Sequence, residues 1–149
     1  MRGMVMALVA LASLGLAAGA NAIAPDTLVQ LSSPTGKIGC LATNMDGPFS
    51  LRCDVANPTY TRPARARSCP ADFGEYGDSF TLGARSRAVW TCHGDTALRA
   101  GQPGFITLRY GRTWAWGPFR CTMRTTGITC RNSAGRGFQL SRERAVRFG

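Results

Sequence analysis

At 149 residues the chain is long enough for one ordinary domain and too short for an array of them. It carries 18 lysines and arginines against 8 aspartates and glutamates, a formal net charge of +10, with 6 cysteines and 1 histidine. That inventory argues against a histidine-rich metal centre. It also leaves nucleophilic catalysis short of parts, because His93 would be the only imidazole base.

The N-terminal stretch MRGMVMALVALASLGLAAGANA has one positive charge, Arg2, then an apolar run from Met4 to about Ala18, and closes on Ala20-Asn21-Ala22. A short apolar core ending in a small-x-small site is the pattern of a cleaved secretory leader, and the run is shorter than the ~20 residues a bilayer requires. Residues 1–22 are therefore expected to be a signal peptide and residues 23–149 one disulfide-rich domain, with no transmembrane segment in the mature chain. Loss of Arg2 leaves 17 basic residues (18 − 1) against 8 acidic ones, a net charge of +9, and only Lys37 among the basic residues is not arginine. Such an excess is either a solvated face or the counterpart of an anionic partner.

In chain order, KIGCLAT (37–43) and FSLRCDV (49–55) read as strands around the turn signal NMDGP. Residues 56–86, with three prolines, three glycines and little periodicity, read as a long ordered loop held down by Cys69. RAVWTC (87–92) reads as a strand, and Gly94-Asp95 as a turn in which Asp95 or Thr96 caps a short helical turn over TALRA. FITLRY (105–110), TWAWG (113–117), FRCTMR (119–124), GITCR (127–131) and a closing GFQLS (137–141) follow as strands. Regularly spaced short strands with turns between them predict an all-β fold, a small antiparallel sandwich or barrel.

Six cysteines in a short exported chain imply a disulfide framework with fifteen possible pairings. Geometry narrows them. A turn centred on Asp46-Gly47 sets Cys40 opposite Cys53, and a turn centred on Thr125-Thr126 sets Cys121 opposite Cys130. Opposed residues fall in the ~4.5–5.5 Å Cβ range that a disulfide bridges with small adjustment. Cys69 and Cys92 then remain for each other, so the expected staples are 40–53, 69–92 and 121–130. With no C-x-x-C knuckle and a single histidine, no metal or other cofactor is expected. The two cysteine hairpins also resemble one another, as an old duplication or as two convergent hairpins.

The second hairpin poses the sharpest question. Alternation puts Phe119, Cys121, Met123, Ile128 and Cys130 on one face and Arg120, Thr122, Arg124, Thr129 and Arg131 on the other. Arg120 then meets Arg131, although like charges placed opposite are unfavourable. Either water and a carboxylate such as Glu143 screen the pair, or its planar forks hold a phosphate or carboxylate. Leu108, Tyr110, Arg112, Trp114 and Trp116 share one parity upstream. That stripe reads as core, with Arg112 at the rim stacking on a tryptophan.

SPTGKIGC (33–40), LRCDV (51–55), SCPADFG (68–74), TCHGDTAL (91–98), LRYGRTWAWGPFRC (108–121), GITCRN (127–132) and GRGFQLSRE (135–143), in that order, resemble the small exported bacterial proteins of domain-of-unknown-function family 6636. The resemblance covers about Leu31 to Phe148. The family usually has Ser-Gly-Asn where Thr35-Gly36-Lys37 stands, and often Trp at Phe73 and His at Arg136. It implies an exported, disulfide-bonded domain and carries no activity with it.

The function expected from these readings is a non-enzymatic extracytoplasmic interaction or envelope-associated module. Its arginine-rich anion-binding face would comprise Arg120, Arg124 and Arg131, with Arg136 and Arg142 as lesser members. The partner would be an anionic polymer or an acidic protein. A second reading is a small basic secreted ribonuclease using Glu75, His93 and Arg85 or Arg87. A third is an inhibitor of a secreted hydrolase, whose target would need an acidic surface to avoid repulsion.

Overall fold

Short runs of alternating apolar and polar residues leave each segment of this chain one way to bury its apolar side: as a strand on a shared core. The computed structural model describes residues 27–45, 47–98 and 101–149, and among them every regular element is a strand. The expected leader, residues 1–22, lies outside that range. Among the described residues no helix is long and apolar enough to cross a membrane.

The strands are β1 (Leu28–Ser32), β2 (Ile38–Thr43), β3 (Ser50–Val55), β4 (Glu75–Gly83), β5 (Val89–His93), β6 (Phe105–Thr107), β7 (Thr113–Trp116), β8 (Phe119–Arg124), β9 (Gly127–Arg131), β10 (Gly137–Leu140) and β11 (Ala145–Phe148). They form two sheets, ordered β5-β4-β3-β2-β1-β6 and β11-β10-β9-β8-β7. Each is an antiparallel meander of five consecutive strands, and the first adds β6 parallel to β1 on its edge. Leu31, Leu51, Phe80 and Leu82 from the first sheet and Phe119, Met123, Ile128, Phe138 and Leu140 from the second share one apolar cluster. Phe80 and Phe138 meet across the layers with ring centroids 5.3 Å apart. Of the two expected architectures the molecule is the sandwich.

All three disulfides join the expected partners, Cys40–Cys53, Cys69–Cys92 and Cys121–Cys130. Cys40 faces Cys53 and Cys121 faces Cys130 in directly opposed register. Each pair joins the second and third strands of its meander, at the third residue of one and the fourth of the next. The likeness between the two hairpins therefore extends to the plan of the two sheets.

Three strands lie where none was expected: β1, β11 and, inside the segment read as a loop, the nine-residue β4. The reason in β4 is physical. Gly77 adopts φ 88° and the β4–β5 register shifts between Tyr76 and Phe80, so Gly77, Asp78, Ser79 and Phe80 are buried in succession and the period-two pattern disappears. The expected helical turn is also absent from the described residues. Over 94–98 the chain is irregular, with Leu98 N donating to Thr96 Oγ1 at 3.0 Å, while 99–100 lie outside the described residues. Trp114 and Trp116 are half-buried against the core as the stripe predicts, whereas Tyr110 and Arg112 are exposed.

Candidate functional site

The register of the second sheet sets its outer face. Ala115, Arg120, Arg131, Gly137 and Phe148 form one transverse row, and Thr113, Thr122, Thr129, Gln139 and Val146 form the next. Arg120, Arg124 and Arg131 are exposed. Thr113 and Thr122 hydrogen-bond through their hydroxyls at 2.8 Å. No described segment covers this face.

Two arginines can stand opposite one another here because one is drawn aside. Arg131 lies over the ring of Phe148, 4.1 Å from its centroid, and donates from Nη1 to the carbonyl of Gly135 at 3.0 Å. Arg120 makes no hydrogen bond or ion pair among the described residues. Glu143, named from the sequence as a screen, instead accepts from the Ser141 hydroxyl at 3.3 Å.

Charge is divided between the sheets. Residues 27–98 hold seven basic and six acidic side chains, whereas residues 113–149 hold seven arginines and the single acid Glu143. Every ion pair among the described residues belongs to the first part: Arg52–Asp54 at 2.8 Å, Arg52–Asp95 at 2.6 Å, Arg62–Glu75 at 3.0 Å and His93–Asp78 at 3.0 Å.

The five arginines singled out from the sequence fall in three places. Arg120 and Arg131 share the row just described. Arg124, at the turn end of β8, instead borders a cleft of about 190 Å³ with Lys37, Tyr110, Arg142 and Glu143, where turns of both sheets meet. Arg136 is set apart, donating from Nη1 to the Arg85 carbonyl at 2.8 Å.

The outer face of the first sheet is built differently. Asp54 is fully buried and accepts from Arg52 Nε and Nη2, both at 2.8 Å, from Ser79 Oγ at 2.6 Å and from Ala97 N at 2.7 Å. Arg52 reaches further, donating from Nη1 to Asp95 Oδ1 at 2.6 Å and from Nη2 to the Asp95 carbonyl at 2.9 Å. The hydrogen bond from Arg52 holds Asp95 below the ordinary carboxylate range. Desolvation opposes charge on Arg52, but its bonds to the two aspartates outweigh it and the pKa stays raised. Residues 95–97 are thereby fastened across the sheet. The sequence offered no signal for this, since Arg52 and Asp95 are 43 residues apart.

The ribonuclease set is not assembled. His93 is buried, its Nε2 3.0 Å from Asp78 Oδ1 and its Nδ1 2.5 Å from the Asp95 carbonyl. A carbonyl only accepts, so Nδ1 carries a hydrogen and Nε2 faces the carboxylate; both ring nitrogens are occupied. Glu75 is opposite His93 in register, yet its side chain is exposed and paired with Arg62. Arg85 and Arg87 lie in the connection between β4 and β5, at the other end of that hairpin. Nearby, burial and then the charge of Asp78 push the Tyr60 phenol up to about 12, and its hydroxyl donates to the Gly77 carbonyl at 2.9 Å. Among the described residues no group of three histidine, cysteine or acidic side chains is placed to hold a metal ion.

No curated protein and no solved structure matches the chain. A family model does, over residues 10–148, and the chain belongs to that family, the Family of unknown function (DUF6636).

Proposed function

We propose that this protein is an extracytoplasmic binding module, non-enzymatic and stapled by its disulfides, that engages an anionic partner on the outer face of the second sheet. One observation carries the reading: Arg120 and Arg131 stand opposite one another on a sheet that no described segment covers, and no carboxylate among the described residues pairs with either. Arg131 has partners in the fold, the Phe148 ring and the Gly135 carbonyl, whereas Arg120 has none among the described residues. Their mutual repulsion is relieved when an anion sits between or above them, and the planar fork suits carboxylate and phosphate oxygens. Arg124 extends the positive face toward the turn end. Three disulfides and an N-terminal stretch of secretory type support a location outside the cytoplasm.

The test is binding of the oxidised protein to anionic polymers over a range of salt. Affinity should fall steeply as salt rises, since each neutralised anion releases counterions. The Arg120→Glu/Arg131→Glu double variant should lose at least tenfold while keeping all three disulfides. Unchanged binding by that variant would remove the site assignment.

A further inference from the structure

The two meanders share one plan, and among the described residues a covering segment lies over only one of them. When the plans are matched on their cystines, Gly39 and Asp54 occupy in the first sheet the place that Arg120 and Arg131 occupy in the second. Both pairs flank the disulfide on the outward side. In the first sheet that place is covered. The backbone of Ala97 passes so close to Gly39 that a Cβ there would lie 2.0 Å from the Ala97 oxygen. The Ala97 side chain is fully buried, and its N–H is received by Asp54. Beside it Arg52 holds both the carboxylate and the backbone carbonyl of Asp95. The chain thus contains its own example of an arginine on a sheet holding an aspartate of a segment laid across the strands.

From this correspondence we propose that the open face of the second sheet takes an acidic, extended segment of a partner polypeptide, laid across β8 and β9. The proposal rests on the reading of that face as the anion-binding surface and specifies what binds there. Replacing Asp54 by Arg131 at the matched place reverses the polarity. The first sheet receives an N–H from its covering segment, whereas the second offers donors and calls for carboxylates and carbonyls. Arg120, Arg124 and Arg131, the exposed arginines of β8 and β9, set the same demand on this face. The row of Thr113, Thr122, Thr129 and Gln139 adds hydroxyl and amide groups that can accept peptide N–H bonds. The place matched to Arg52 is Thr129, so the polypeptide assignment rests on the covering segment itself: the occupant of the matched place in the first sheet is a stretch of backbone, which favours a polypeptide over a sulfated polysaccharide or polyphosphate.

Three labelled probes of equal charge would decide it: a peptide alternating Asp or Glu with Ala and Thr, a sulfated oligosaccharide, and a short polyphosphate. The peptide should bind at least tenfold more tightly than either other probe at moderate salt. Amide shifts should be confined to β8, β9 and their neighbours. Arg120→Gln/Arg131→Gln should weaken peptide binding at least tenfold, and Thr122→Val/Thr129→Val should weaken the peptide more than the other two probes. Equal binding of all three probes, lost together on removing the arginines, overturns the polypeptide assignment and leaves the anion-binding face standing. Binding of none of them overturns both. Peptide binding that ignores both double variants overturns this proposal by placing the site elsewhere.

Discussion

Arg131 lies across Gly137 onto the ring of Phe148, with 4.1 Å between its guanidinium carbon and the ring centroid. Gly137 makes this possible, because a Cβ there would meet Phe148 at 2.9 Å and the backbone oxygen of Cys130 at 1.9 Å. Gly137→Ala should therefore destabilise the second sheet by about 1–3 kcal/mol, the usual cost of forcing an extra methyl into packed surroundings. Arg131→Gln should cost less, roughly 0.5–1 kcal/mol for a cation–π contact made by an exposed arginine. Urea denaturation of both variants checks the ranking; a harmless Gly137→Ala would contradict the close approach.

The covering segment of the first sheet should be separable from the sheet itself. Gly39→Ala sets a methyl against the Ala97 carbonyl and should lift residues 95–98. Hydrogen exchange at the Ala97 amide should then rise well before global unfolding. Asp54→Ala should be more damaging, roughly 3–5 kcal/mol, because it strands the buried part of Arg52 and two further donors. Protection at Ala97 unaltered by Gly39→Ala would show that the segment is held from elsewhere.

Two groups give stability a pH dependence of opposite sign. Folding lowers the Asp95 pKa through Arg52, so its stabilisation is complete above the unfolded carboxylate range and disappears as pH falls through the folded value. Asp95→Asn should flatten the acid limb of the stability profile, modestly, since the Asp95 side chain is 65% exposed. Folding raises Tyr60 to about 12, so its contribution is complete below the unfolded value of about 10 and fades as pH climbs toward the folded one. Tyr60→Phe should remove the latest step from the alkaline absorbance titration.

Removing disulfides singly should rank by the loop each closes. The bridge from Cys69 to Cys92 spans 23 residues, against 13 for Cys40–Cys53 and 9 for Cys121–Cys130. In the chain-entropy view a loop of ~15 residues is worth about 3 kcal/mol, and the longest loop more. Paired Cys→Ser variants compared by thermal unfolding should place the 69–92 variant lowest, and a reversed order would indicate that native packing outweighs loop entropy.

The cystine hairpins were legible because their register is local. A turn's position decides which residues face one another, and alternation then assigns each side chain to core or solvent, as Arg120 and Met123 both show. β4 was not legible, because its bulge at Gly77 and its buried Asp78 break the alternation that marks a strand. The buried Asp78 has its Oδ1 3.0 Å from His93 Nε2 across the hairpin, a pairing between groups 15 residues apart.

By itself the sequence determined the all-β class, the two hairpin staples and the outward direction of Arg120 and Arg131, since each follows from contacts between near neighbours in the chain; the third staple, Cys69–Cys92, followed by elimination once those two were placed. Only the tertiary structure decided that Arg124 and Arg142 border one cleft while Arg136 lies apart, and that Asp95 reaches back to Arg52 over 43 residues. It alone decided which sheet is covered and which is left open. Those outcomes depend on how two layers stack and where a connecting segment comes to rest, and neither is encoded in any short stretch of residues.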